Sequence, residues 1–196
     1  MFKKITAVLL IAVIFAASVF AGARQSDIQG SMQIGIVGRY SGADITTVEE
    51  YRIFENYRYG GDMRFNFGWF NVTGGLLLGA VHEDNTELIG SVAANFRLDL
   101  QLFDFTLGAG YELPFEFGKE GMMIDGKPVT QAIDAFNRST LYGHFGAGLN
   151  IGNLGIAADY HLSYDSIMKM VNDYDNVGLE PFKEGWVSIS VLCKVF

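Results

Sequence analysis

A single cysteine stands in 196 residues, and its isolation removes two architectures at once. Cys193 alone can close no disulfide within the chain and complete no cysteine-based zinc site. Proline is scarce, at 3, and charged residues are only 18% of the chain, whereas aromatics reach 14%. A disordered chain has the opposite balance. Positive charge is short as well: 14 Lys and Arg face 22 Asp and Glu, for a net charge of -8. Phosphate backbones are gripped by clustered basic side chains, so nucleic acid is excluded as a partner. The length allows one domain, or at most two small ones.

Long apolar runs are missing too, except at the start. Met1-Phe2-Lys3-Lys4 is a basic opening, followed by the apolar run from Ile5 to Phe15 and then by small residues ending in Ala21-Gly22-Ala23. A positive region, an apolar region and an Ala-x-Ala site make a secretory signal peptide, so residues 1–23 are expected to be removed on export. A membrane anchor is the rival reading, since Ile5 to Ala21 approaches the roughly 20 apolar residues a spanning helix needs. The small residues just before Arg24-Gln25-Ser26-Asp27 favour cleavage. Beyond them no stretch is long and apolar enough for a transmembrane helix.

What the remaining 24–196 domain has is alternation. From Tyr51 to Trp69 the odd positions are mostly aromatic or apolar (Ile53, Tyr57, Tyr59, Met63, Phe65, Phe67), and the even ones polar or small. Successive side chains of a strand point to opposite faces, so this is a strand with one greasy side. The same period runs through Ser31–Tyr40, Leu88–Leu100, Phe105–Leu113, Thr140–Leu149, Leu154–Ser163 and Trp186–Val195. An eighth segment, 74–83, is blurred by Leu76-Leu77-Leu78, and its faces cannot be assigned. Short gaps at Phe70–Thr73, Gln101–Asp104 and Ile151–Asn153 alternate with long polar ones at Ser41–Glu50, Gly118–Arg138 and Tyr164–Glu184. His82–Thr86 is the one short connection where a long one is expected. Eight strands of roughly ten residues, with short turns on one side and long loops on the other, predict an all-β, eight-stranded antiparallel up-and-down transmembrane β-barrel.

A soluble lipocalin-like barrel has the same alternation with its faces exchanged. Three features favour lipid on the outside. The polar face is rich in glycine, as a crowded eight-stranded lumen requires. Tyr51, Tyr57, Tyr59, Trp69, Tyr111, Tyr142 and Tyr160 fall near strand ends, where an aromatic girdle belongs, although Tyr142 has the opposite parity. The chain also stops at Phe196, directly after the last strand.

With its signal, its eight alternating segments and the strand from Trp186 to Phe196, the sequence resembles the small outer-membrane barrels of the OmpA-barrel, OmpX and OmpW type. The resemblance is one of pattern across the whole 24–196 region. It implies residence in the outer membrane of a diderm bacterium, surrounded by outer-membrane lipid. It also implies that Phe196 is read as an assembly signal by the barrel-assembly machinery. The alternate positions before it depart from that signal, being Lys194, Leu192, Ser190 and Ser188.

The residues expected to point inward include Arg39, Arg64, Arg97, Lys194, Glu112, Asp159, His144 and His161. An isolated buried charge is costly, so these are expected to pair into a polar network that plugs the lumen. A narrow channel for small or apolar solutes, which the OmpW likeness implies, is the alternative. His161-Leu162-Ser163 with Asp175 downstream is similar to the His-x-Ser motif of outer-membrane lipid A deacylases. Here His161 is on the inward face, the acid is an Asp in a loop, and Tyr164 follows where the family has an amide. No enzyme, cofactor or metal site is therefore expected. The long loops hold Met122-Met123-Ile124 and Ile167-Met168-Lys169-Met170-Val171, apolar stretches suited to contact with another protein or with lipid, or to forming a short helix or strand extension that covers the barrel mouth; an extracellular protein or surface ligand is the partner expected there. The expected role is structural and adhesion-like, with a closed or narrow lumen.

Overall fold

In the computed structural model the described residues are 30–41, 56–82, 85–118, 121–124, 127–128, 137–172 and 180–195. The expected signal segment 1–23, Tyr51, Asp175 and Phe196 lie outside them.

Alternation becomes strand wherever a tight turn lets the chain reverse. β1 (Gly30–Tyr40), β2 (Tyr57–Phe67), β3 (Phe70–His82), β4 (Asn85–Leu100) and β5 (Phe103–Gly118) follow one another in the chain. Two short strands, β6 (Gly121–Ile124) and β7 (Lys127–Pro128), then continue the β5 edge beyond the barrel. β8 (Thr140–Ile151), β9 (Leu154–Ser163) and β10 (Trp186–Lys194) complete the wall. Helices α1 (Tyr164–Asn172) and α2 (Glu180–Lys183) lie between β9 and β10. Around the wall the order is β4-β3-β2-β1-β10-β9-β8-β5, every pair is antiparallel, and β4 pairs with β5. The eight-stranded sheet is closed and has no free edge.

Three two-residue turns join strands on the side where both ends of the barrel lie: Gly68-Trp69, Gln101-Leu102 and Gly152-Asn153. In each the first residue has positive φ (60°, 68° and 62°), which suits the right-handed twist of a hairpin. Gly68 and Gly152 take that conformation without strain. The first turn corrects the sequence reading, which placed a gap at Phe70–Thr73. Those residues pair with β4 and the reversal comes at Gly68.

The polarity of the wall is inverted relative to a soluble barrel. Ile36 is 70% exposed and Leu107 63%, while their neighbours Val37 and Thr106 are buried inside. Water tolerates apolar patches of a few hundred Å² on a monomer. Here Ile34, Ile36, Val92, Phe96, Leu98, Phe105, Leu107, Phe145, Ile156, Ile189 and Val191 make the whole belt apolar. The ambiguous Leu triplet resolves the same way: Leu76 and Leu78 face out, and Leu77 packs inside with Val37 and Ile89. Among the described residues no helix is long and apolar enough to cross a membrane; strands are what this fold offers a bilayer.

One expectation fails. Tyr142 is not part of a girdle; its inward parity puts it in the lumen, buried. It fits because Gly110 lies opposite on β5, where a Cβ would come within 2.6 Å of the Tyr142 ring.

Candidate functional site: the barrel lumen

Inward parity brings charged side chains from distant strands to one axis, where they meet across the lumen. Arg39 on β1 and Glu112 on β5 belong to diametrically opposite strands, and Arg39 Nη1 donates to Glu112 Oε2 at 2.7 Å. Arg64 Nη2 on β2 donates to Asp159 Oδ2 on β9 at 2.6 Å. The same guanidinium holds Asp62 through Nε (3.0 Å) and Nη2 (2.8 Å). Ser190 Oγ also donates to Asp62, at 2.7 Å. Nearer the rim, Arg58 pairs with Glu87 at 2.6 Å. Nearer the tight turns, Arg97 pairs with Asp104 at 3.2 Å and with the more exposed Asp99 at 2.8 Å.

Between these ion pairs runs a chain of side-chain amides with a single direction. Asn150 Nδ2 donates to the Asp104 carboxylate at 2.7 Å, and Gln33 Nε2 reaches Asn150 Oδ1 at 3.4 Å. Asn66 Nδ2 donates to Gln33 Oε1, Asn71 to Asn66, and Asn95 to Asn71, at 3.2, 3.1 and 2.7 Å. A carboxylate can only accept, so Asp104 fixes which way every amide along the chain points. The chain ends at His144. Its Nδ1 lies 2.8 Å from Asn95 Oδ1 and its Nε2 lies 2.9 Å from Asp159 Oδ1, so the amide chain and the ion-pair cluster meet there.

Above His144 the rings stack. His144 and His161 are 4.9 Å apart and nearly parallel; Trp186 lies 5.7 Å beyond His161, with Arg39 over its face. Tyr142 meets both His161 and Trp186 edge-on. What space is left is small. A cavity of about 40 Å³ is lined by residues including Arg39, Arg64, Tyr142, His144, Asp159 and His161, and a second of about 10 Å³ adjoins Arg97 and Asp104. One water occupies about 30 Å³ in the liquid.

Of the residues singled out from sequence, Arg39, Arg64, Arg97, Glu112, His144, Asp159 and His161 all line this interior. Lys194 corrects the reading: it has inward parity but is exposed at the open end of β10. His161 Nε2 bonds Ser188 Oγ at 3.0 Å, while Ser163 Oγ bonds Ser166 Oγ at 2.9 Å, so the His-x-Ser pair is turned to different partners. Among the described residues no cluster of His, Cys, Asp or Glu is built to hold a metal ion. Sequence reasoning missed Asp62, Arg58, Glu87, Asp104 and the amide chain. Their signal was the same inward parity that marks the other charges.

A closed eight-stranded antiparallel barrel, apolar outside and polar within, defines the class of small outer-membrane β-barrels. The sequence matches no protein family and no curated protein. Similar solved structures include two bacterial surface proteins. Neisserial surface protein A (NspA) aligns with 84% of this chain and 94% of its own, at 10% identity and a TM-score of 0.39. Ail, the attachment invasion locus protein of Yersinia pestis, solved in complex with the heparin analogue sucrose octasulfate, aligns with 84% of this chain and 95% of its own, at 14% identity and a TM-score of 0.39.

Proposed function

We propose that this protein is an outer-membrane barrel with a sealed, structural lumen, and that its work is done by extracellular loops that contact a protein or ligand at the cell surface. The observation that carries the reading is the pairing of Arg39 with Glu112 and Arg64 with Asp159 across the interior, beside a cavity of about 40 Å³. A general pore needs an open polar path, and an eight-stranded barrel has room only for its own side chains. That leaves the surface beyond the membrane as the place for recognition, where β6 and β7 raise the β5 edge and Ile124 is fully buried within that extension. Export, cleavage after Ala23 and insertion by the barrel-assembly machinery through Phe196 belong to the same proposal, as does the absence of enzymatic activity and of any cofactor.

The test is binding by whole cells. Cells displaying the protein are expected to bind extracellular matrix or another surface ligand saturably. Deleting residues 118–138 is expected to abolish this while the barrel still shows heat-modifiable migration on a gel. Equal binding by the deleted and intact proteins would overturn the reading.

A further inference from the structure

The described part of the connection between β9 and β10 folds back onto the outer wall, and four observations fix it there. Ser163 ends β9 and caps α1, its Oγ accepting the Ser166 backbone N–H at 3.2 Å. Ile167, one turn on, packs onto the outward side of Gly143 in β8, with its Cδ1 2.9 Å from where a Cβ would stand. Leu162, paired with Gly143, has outward parity yet is only 6% exposed, whereas Ile156 on the same face is 43% exposed. Near α2, the outward-facing Tyr160 donates its hydroxyl proton to the Phe182 carbonyl at 2.6 Å, and Gly185 lies against the Tyr160 ring.

The faces of α1 say what it meets there. Ser166 and Lys169 both reach Glu184, the residue just before β10, with Ser166 Oγ donating at 2.8 Å and Lys169 Nζ at 3.0 Å. That side of the helix is thus turned toward the rim. With 3.6 residues per turn, Val171 lies about half a turn around from it. Asp165, Lys169 and Asn172 share the rim side, while Tyr164, Ile167 and Val171 share the other. Val171 is 64% exposed, and Phe182 of α2 is also exposed. Val171 lies one helical turn beyond Ile167, which packs on the outer wall at Gly143, and the Phe182 backbone is bonded to the outward-facing Tyr160, so the exposed apolar surface of the helices continues from that wall. A helix with one charged face and one apolar face, laid along a membrane boundary, is the geometry of an interfacial anchor.

We propose that α1 and α2 form a membrane-surface element: Val171 and Phe182 dock into the boundary between headgroups and acyl chains of the outer leaflet, and the polar side of α1 faces the extracellular medium. The partner of this loop is lipid. Ligand recognition then falls to the other long connections.

Cys193 is the sole cysteine, so a Cys193→Ser background accepts single spin labels. The full-length protein, with Val171→Cys or Phe182→Cys in that background, would be refolded into phosphatidylcholine vesicles. Collision with dissolved oxygen would be compared with collision with a water-soluble nickel chelate. Leu107→Cys on the lipid-facing wall and Asn153→Cys in the tight turn serve as references. Both loop labels are expected to favour oxygen several-fold more than Asn153→Cys does, in the same sense as Leu107→Cys. Filling the Ile167 seat with Gly143→Leu is expected to shift the label at 171 toward the aqueous value while heat-modifiable migration persists. A ratio equal to that of Asn153→Cys at both loop sites, as free loops or a loop awaiting a protein partner would give, would overturn the proposal.

Discussion

Arg64 and Asp159 lie 95 residues apart in sequence and on strands separated by two others, yet their side chains meet at 2.6 Å inside the barrel. Arg64 is also the only guanidinium on Asp62 among the described ion pairs. Removing it leaves two carboxylates facing each other in a closed space. Breaking a buried pair from one side costs about 3–5 kcal/mol, because the remaining charge keeps its desolvation penalty. Arg64→Met should therefore lower the unfolding free energy of the folded, heat-modifiable form, measured by urea titration, by an amount in that range. Asp159→Asn should cost less, since Asp62 still satisfies Arg64. In a double-mutant cycle the two changes should couple by about 0.5–3 kcal/mol. Strict additivity would show that the contact across the lumen contributes nothing.

The same cross-links predict electrical silence. Reconstituted in a planar bilayer, the protein should give no steady single-channel steps at neutral pH, because the Arg39–Glu112 and Arg64–Asp159 pairs span the lumen. Persistent, uniform steps would revive the narrow-channel alternative and remove the sealed lumen from the proposed function.

Much of this was legible in the sequence, and the reason is geometric. A strand's period of two needs only local pattern, so the inward and outward sets of β1, β4, β5, β9 and β10 could be read residue by residue. The Leu76-Leu77-Leu78 run defeated that method because Leu77 is an apolar residue packed inside, next to Val37 and Ile89. Tyr142 misled for the converse reason: an aromatic near a strand end suggests a girdle, but only the neighbouring Gly110 reveals room for it inside. Which charges pair was beyond reach. The Arg39–Glu112 bond depends on strand order and shear, and neither is written in any one segment. The docking of α1 was hidden too, since the groove at Gly143 exists only once β8 and β9 are side by side.

Gln101 is the one described residue other than glycine with positive φ, at 68°. The left-handed region costs an L-residue about 1–2 kcal/mol, partly offset here by the bond from the Gln101 N–H to Asp99 Oδ1 at 2.9 Å. Gln101→Gly keeps that bond and removes the Cβ conflict. It should stabilise the barrel by about 0.5–1 kcal/mol, seen as a higher urea midpoint; a lower midpoint would show that the turn carries no such strain.

Glu184 ties α1 to the start of β10. The Ser166 hydroxyl, and then the Lys169 ammonium, hold its carboxyl below the usual carboxylate range. A carboxylate whose folded pKa is depressed adds stability that is complete above its unfolded value, about 4.3, and is lost as pH falls through the lower folded one. Docking of α1 should accordingly be constant from neutral pH down to about 5 and loosen only in stronger acid. The mobility of a spin label at position 171 reports it directly. Loosening between pH 7 and 5 would mean that a different group controls the loop.

Ser163 separates a structural role from a chemical one. A lipid A hydrolase would need its hydroxyl within reach of His161. Instead the Ser163 oxygen accepts the Ser166 N–H at 3.2 Å and meets the Ser166 hydroxyl at 2.9 Å, while His161 bonds Ser188 on β10. Losing an N-cap oxygen costs a helix about 0.5–2 kcal/mol. Ser163→Ala should thus raise the mobility of a label at position 171, and Ser163→Thr, which keeps the oxygen, should restore most of the order. In cells expressing either variant, the lipid A acyl pattern should match that of cells expressing the unaltered protein. A changed pattern with Ser163→Ala alone would make this hydroxyl a nucleophile and overturn the non-enzymatic reading; unchanged lipid A with a loosened helix identifies it as the cap that sets α1 against the wall.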